Sequence, residues 1–192
     1  MRTCSIFISA SVAFIGFFIF GCAKMPDKEL NAAMAALDSA RAVQADNYAA
    51  GDFKTAKGTI DEAIIEIHKK NYEKAKMMLV SAMAVANNAK MNAVEGKKQA
   101  AAEANSALMR ANTLLTDVKS LIKKAPKGKH GITTLKSEAA AVEVSLKDAQ
   151  SAKNNGDFIS ANNEANACLA KLVAIKSTFG AATAKTPAKV TR

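Results

Sequence analysis

NYEKAKMMLVSAMAVANNAKMNAVEGKKQAAAEANSALMRANTLLTDVKSLIKK, residues 71–124, is the stretch on which the fold turns. Within it Tyr72, Leu79, Ala86, Ala93, Ala100, Ala107, Leu114 and Leu121 recur every seven residues, the repeat of a helix that keeps one apolar seam toward its neighbours. Asn71 is placed to cap its start. A second seam, Ala75, Ala82 and Ala89, resumes one residue out of step as Ala104, Ala111 and Val118. The slip falls around Gly96, where the pattern predicts a kink, a skip or a break into two helices. Unbroken, about 50 residues at about 1.5 Å each would reach about 75 Å.

The flanking sequence is of the same kind. Of 192 residues 41 are Ala, with no Trp, three Pro and nine Gly, a balance that favours helix and defines an all-α chain. Alanine faces bury little area each, so the expected form is a thin, elongated bundle of about five helices. Upstream, Leu30, Ala33, Leu37 and Ala40 share a face and predict a first helix from Asp27 to about residue 47. Turn-forming residues 46–51 follow, and Asp52 is expected to cap a second helix carrying Phe53, Ala56, Ile60, Ala63 or Ile64, and Ile67 as far as Lys69 and Lys70. Downstream, Lys123 to Gly131 holds a Pro and two Gly and reads as the principal loop. A fourth helix carries Ile132, Leu135, Ala139, Val142, Leu146 and Ala149, and a fifth, capped by Asp157, closes near Phe179. Residues 180–192 lack an apolar period and read as a disordered basic tail.

Three chain reversals use one device. Gly51-Asp52-Phe53 with Ala56, Asn71-Tyr72 with Ala75, and Gly156-Asp157-Phe158 with Ala161 each pair a capping residue with an aromatic and an Ala three positions on. Aligning Tyr72 with Phe158, 86 residues later, also superposes Ala63 on Ala149 and Ile60 on Leu146. Two related antiparallel hairpins are therefore expected, 27–124 and 132–179, separated by a basic loop at 125–131. Tetratricopeptide repeats use similar elbows, but their 34-residue period is absent here.

The amino terminus reads as an export signal. Arg2 precedes an apolar run from Ile6 to Phe20, and Ile19, Gly21 and Cys22 resemble a lipobox, with residues 1–21 as signal peptide, cleavage after Gly21 and acylation of Cys22. Phe20 is bulkier than that pattern prefers. Two other readings stay open: an uncleaved membrane helix over residues 5–23, and ordinary cleavage after Ala23. Residues 22–26 would be a short tether, and several acyl chains would make a stable anchor. Ala23, in place of Asp, resembles the outer-membrane routing of enteric lipoproteins.

Cys22, Pro26, Glu29-Leu30, Ala33, Ala36-Leu37, Ala40-Arg41, Ala45 to Tyr48, Ala56-Lys57, Ile60, Ala63 and the Asn71-Tyr72 elbow with Ala75-Lys76 are similar to the bacterial envelope lipoproteins grouped as domain of unknown function 4398. The likeness covers about residues 22–95, with a weaker echo over 132–178. It implies an exported, lipid-anchored helical hairpin of a Gram-negative envelope, and it supplies no catalytic residue. Some relatives carry a peptidoglycan-binding domain of the outer-membrane-protein-A kind, for which the segment after Phe179 leaves no room.

The chain has 27 Lys and Arg against 17 Asp and Glu, and without Arg2 the excess is nine. Lys119, Lys123, Lys124, Lys127 and Lys129 concentrate it, with no acid after Asp117, and suit an anionic lipid or an acidic partner. The competing reading is a solvated loop with no partner. Nucleic acid fits poorly, because no aromatics interleave the lysines. His68 and His130 are not spaced as metal ligands, and no Cys or carboxylate cluster completes a site around either. Asp61, Glu62 and Glu66 read as solvated charge beside Lys57, Lys69 and Lys70. Met77, Met78, Met83 and Met91 share no face and read as packing rather than a copper site. Cys168 lies on an apolar stripe and reads as a buried small hydrophobe.

No nucleophile with its base, phosphate loop or metal set is visible, so no enzyme and no cofactor is expected. The favoured reading is a membrane-anchored helical spacer or adaptor for an envelope protein or the peptidoglycan layer. The alternative is a binding module or carrier for an apolar or anionic lipid ligand.

Overall fold

The structure is a computed structural model that describes residues 24–125 and 131–184. Among the described residues six helices follow one another: α1 Asp27–Ala42, α2 Ala45–Tyr48, α3 Ala50–His68, α4 Tyr72–Lys124, α5 Ile132–Asn154 and α6 Phe158–Ala184. There is no strand among the described residues. The all-α elongated bundle read from the sequence is thus the observed fold, with one helix more than five. The extra one is α2, a single turn lying where a reversal was expected.

Of the kink, skip or break expected around Gly96, the break into two helices does not occur. The 53 residues of α4 form one continuous helix, about 80 Å long at about 1.5 Å per residue. The slip in the seam matches the drift of about 20° per heptad that about 3.6 residues per turn gives against a strict seven-residue repeat. Along α4 the buried and half-buried positions instead repeat at 18 residues: Ala75, Ala93 and Ala111; Leu79, Lys97 and Leu115; Ala82, Ala100 and Val118. Eighteen residues make about five whole turns at about 3.6 residues each, so the stripe stays on one side without supercoiling.

Two three-helix units share α4. In the first, α1 runs parallel to α4, as Lys76 near Glu29 (3.6 Å), Lys90 on Ser39 (3.1 Å) and Lys97 on Gln44 (2.8 Å) show in ascending order. Helix α3 runs back antiparallel along α4, with Asn92 donating to Asp52 at 2.7 Å. In the second unit α5 is antiparallel to α4, fixed by Lys119 on Glu143 at one end and Lys153 on Asn105 at the other. Helix α6 then returns parallel to α4. Both units are up, down, up: α4 is third helix of the first and first helix of the second.

The 86-residue echo holds at the level of packing. Phe53, Ala56, Ile60 and Ala63 on α3 match Ala139, Val142, Leu146 and Ala149 on α5, and Ala75, Leu79, Ala82, Ala86 and Ala89 on α4 match Ala161, Ala165, Cys168, Leu172 and Ile175 on α6; all are buried. The two cores differ in grain. Ten of fifteen buried residues in the first cluster are Ala, against five of fourteen in the second, so the first unit packs backbone close to backbone and the second interleaves branched side chains.

The reversals at α3–α4 and α5–α6 are the same Schellman turn. Lys70 N–H bonds to the Ile67 carbonyl and Asn71 N–H to that of Glu66, both at 2.9 Å; Gly156 and Asp157 repeat this on Lys153 and Ala152, both at 3.0 Å. Lys70 (φ +64°) occupies the left-handed position that Gly156 (φ +81°) fills in the second turn. The expected capping roles hold in part. Asp157 accepts the Ser160 N–H at 3.0 Å, and the Ser160 side chain, then this N–H, hold its carboxyl below the usual range. Asn71 stands at the cap position of α4 without a side-chain cap bond. Asp52 lies inside the first turn of α3, which starts at Ala50 behind the cap position Ala49, three residues ahead of the predicted start. At the far end of the chain α6 runs through Gly180 to Ala184, past the expected boundary at Phe179, because the alanines there are strong helix formers.

Candidate functional site

The lysine cluster divides. Lys119 faces α5 and donates to Glu143 at 2.7 Å, which holds the Glu143 carboxyl below its usual range. Its expected freedom from acidic neighbours is corrected here, since Glu143 is near in space but distant in sequence. Lys123 and Lys124 are exposed in the last turn of α4, where their charge also complements the helix carbonyls. Lys127, Lys129 and His130 lie outside the described residues, as do Cys22, the signal segment and residues 185–192.

At the other end of α4 the structure builds a polar site that the sequence reading placed in solvent. Glu66 is 7% exposed. Its Oε2 accepts from Asn71 Nδ2 at 2.7 Å, while Lys69 and Lys74 lie 3.1 and 3.3 Å from Oε1. Asn71, then Lys69, hold its carboxyl down to about 2, against the opposing effect of burial. In a Schellman turn these two positions, five residues apart, ordinarily make an apolar contact; here a charge-assisted hydrogen bond replaces it. Glu66 and Asn71 at that spacing across a turn was the available signal. Asp61, by contrast, is exposed and pairs with Lys57 at 2.8 Å, as expected.

Between the ends lies a waist. Tyr48, the last residue of α2, sets its backbone against Gly96 of α4 and donates its hydroxyl to the Gly156 carbonyl at 3.3 Å. Lys97 extends over the Tyr48 ring, 5.9 Å from its centre. Val43, Val94, Ala101 and Phe158 line a surface groove beside this contact. Apart from contacts with α4 itself, no helix of the first unit packs on a helix of the second among the described residues.

Of the remaining candidates, Cys168 is buried as expected, its thiol directed at the Val142 carbonyl 3.9 Å away and pushed up by burial. Met78 and Met83 pack on the first core, but Met77 and Met91 stand exposed, which corrects their reading as packing. His68 is the exposed last residue of α3. Among the described residues no three of His, Cys, Asp and Glu gather as a metal site, and no helix is long and apolar enough to cross a membrane.

The architecture is an all-α rod of two units joined through one helix. Residues 28–105 match the model of the family described as Domain of unknown function (DUF4398), and over this span the chain resembles that family. The match takes in nearly all of α1, then α2, α3 and α4 as far as Asn105: the first unit together with the Gly96 waist. No curated protein and no solved structure matches the chain.

Proposed function

We propose that the chain is a non-enzymatic, lipid-anchored protein of the bacterial envelope, held by an acylated Cys22 in the outer membrane and acting as a helical spacer or adaptor toward another envelope component. The observation that supports this reading is the continuity of α4. Residues 24–26, next to the anchoring position, sit at one end of it, and Lys123 and Lys124 sit at the other, about 80 Å away. A rod with its anchor at one end and exposed cations at the opposite end is suited to present those cations at a fixed height to a peptidoglycan or protein partner.

The test has two arms. The mass of the mature N-terminal peptide from cells should be that of an acylated Cys22; an intact Met1 or a free Lys24 overturns the anchor. Amine cross-linking in cells should capture an envelope component through Lys123 and Lys124, and a capture pattern unchanged by Lys123→Gln with Lys124→Gln overturns the adaptor role. Copurification of a stoichiometric lipid other than the acyl chains would favour the carrier instead.

A further inference from the structure

We propose that the end of the rod formed by the start of α1 and the α3–α4 turn is a docking surface for anionic phospholipid, which stands the rod upright on the membrane. The inference rests on the Cys22 reading for its setting. The chain enters α1 without slack. Pro26 is buried, Asp27 N–H bonds to the Met25 carbonyl at 3.0 Å and Leu30 N–H to that of Pro26 at 2.9 Å. Lys24 is thereby held on the bundle, and Cys22 is two residues ahead of it. Two peptide steps of about 3.8 Å span at most about 7.6 Å, within a Debye length of about 8 Å at physiological ionic strength. An acyl chain on Cys22 therefore brings this end, and no other, into the field of the lipid head groups.

The end is built to meet such a surface. Lys24, Lys28, Lys69, Lys70, Lys74 and Lys76 gather there against Asp27, Glu29, Glu66 and Glu73. The acids are partly engaged: Glu66 holds Lys69 and Lys74, and Glu29 holds Lys76. Lys24, Lys28 and Lys70 are exposed and have no ion pair among the described residues. Met25 stands half-exposed among them, an apolar side chain of the sort that enters a lipid interface beside snorkelling lysines. The amino-terminal ends of α1 and α4 face the same way and add partial positive charge.

The test uses residues 22–192 with Cys22→Ser, so that docking is read without the anchor. Sedimentation with phosphatidylcholine vesicles should show no binding, and inclusion of phosphatidylglycerol should produce binding that high salt reverses. Lys24→Gln, Lys28→Gln and Lys70→Gln together should weaken it at least about tenfold. Lys123→Gln, Lys124→Gln and Lys136→Gln, an equal change in charge toward the opposite end, should alter it by less than about twofold. Circular dichroism confirms that each variant is folded. Absence of binding to phosphatidylglycerol vesicles, or equal losses from the two triple variants, overturns the docking surface. The mass of the cellular N-terminal peptide tests the anchor separately, so an unacylated chain that still docks removes the anchor and leaves the surface.

Discussion

The carbonyl oxygen of Tyr48 stands 2.5 Å from where a Cβ on Gly96 would lie. A glycine in a helix interior costs about 1 kcal/mol relative to alanine, yet here the obstacle to alanine is backbone, which cannot swing aside. Gly96→Ala is expected to lower stability by about 1 kcal/mol or more, overpacking outweighing the propensity gain. Gly58 in α3 has nothing within 4 Å of its Cβ position, so Gly58→Ala should raise stability by about 0.5–1 kcal/mol. Urea unfolding of both variants checks the pair; stabilisation by Gly96→Ala would mean that the close approach does not exist.

Glu66 makes stability depend on acid in a definite direction. Its carboxyl is held to about 2 in the folded chain, below the roughly 4.3 of an unfolded glutamate. The carboxylate therefore contributes stability that is complete above about 4.3 and is lost as pH falls toward 2. Glu66→Gln should lower the urea midpoint at pH 7 and flatten its decline between pH 4.5 and 2. Parallel pH curves for the variant and the parent would rule out this site as the cause.

Equivalent positions in the two units hold residues of different size. Ala86 and Leu172 coincide under the 86-residue alignment, and both are fully buried. Leu172→Ala should cost about 2–5 kcal/mol by opening a cavity, and Ala86→Leu about 1–3 kcal/mol by forcing apart helices that touch through alanine. Each change installs the residue that its counterpart accepts, so tolerance of both would show the two cores to be alike.

Lys70 and Gly156 occupy the same left-handed position in their turns. A residue with a Cβ pays about 1 kcal/mol there, so Lys70→Gly should be stabilising by up to about that amount. Thermal denaturation at neutral pH checks the sign.

Cys168 should resist thiol reagents in the folded chain and react fully in denaturant, since burial both shields the sulfur and raises its pKa. Peptide mapping after labelling distinguishes it from Cys4 and Cys22. Rapid labelling in native buffer would contradict its packing beneath Val142.

The sequence carried the fold further than the site. Ala56, Ala75 and Ala161, three residues past each elbow aromatic, were legible as close-approach positions, and all three are fully buried. Periodicity suffices for this because a helix registers its buried face in its own spacing. Gly96 misled because a lone glycine beside a seam slip looks like a break, whereas its true partner, Tyr48, belongs to another helix. Glu66 was hidden for a similar reason: a carboxylate among lysines reads as solvated charge until the turn folds Asn71 back onto it. Lys119 looked unopposed until α5 brought Glu143 alongside. What local pattern cannot express is which distant residue completes a polar contact.

The sharing of α4 also has a mechanical side. Over most of its length the rod has a three-helix cross-section, but at the waist the units are joined by α4 and, among the described residues, by one hydrogen bond from Tyr48 to Gly156. Bending stiffness grows steeply with cross-section, so compliance gathers in the turns of α4 near Gly96 and Ala101. Axial length, by contrast, is set by the unbroken ladder of α4. The molecule resists stretching along its whole length and is least braced at its midpoint, so a load applied across its two ends is taken up as bending at the waist and not as extension.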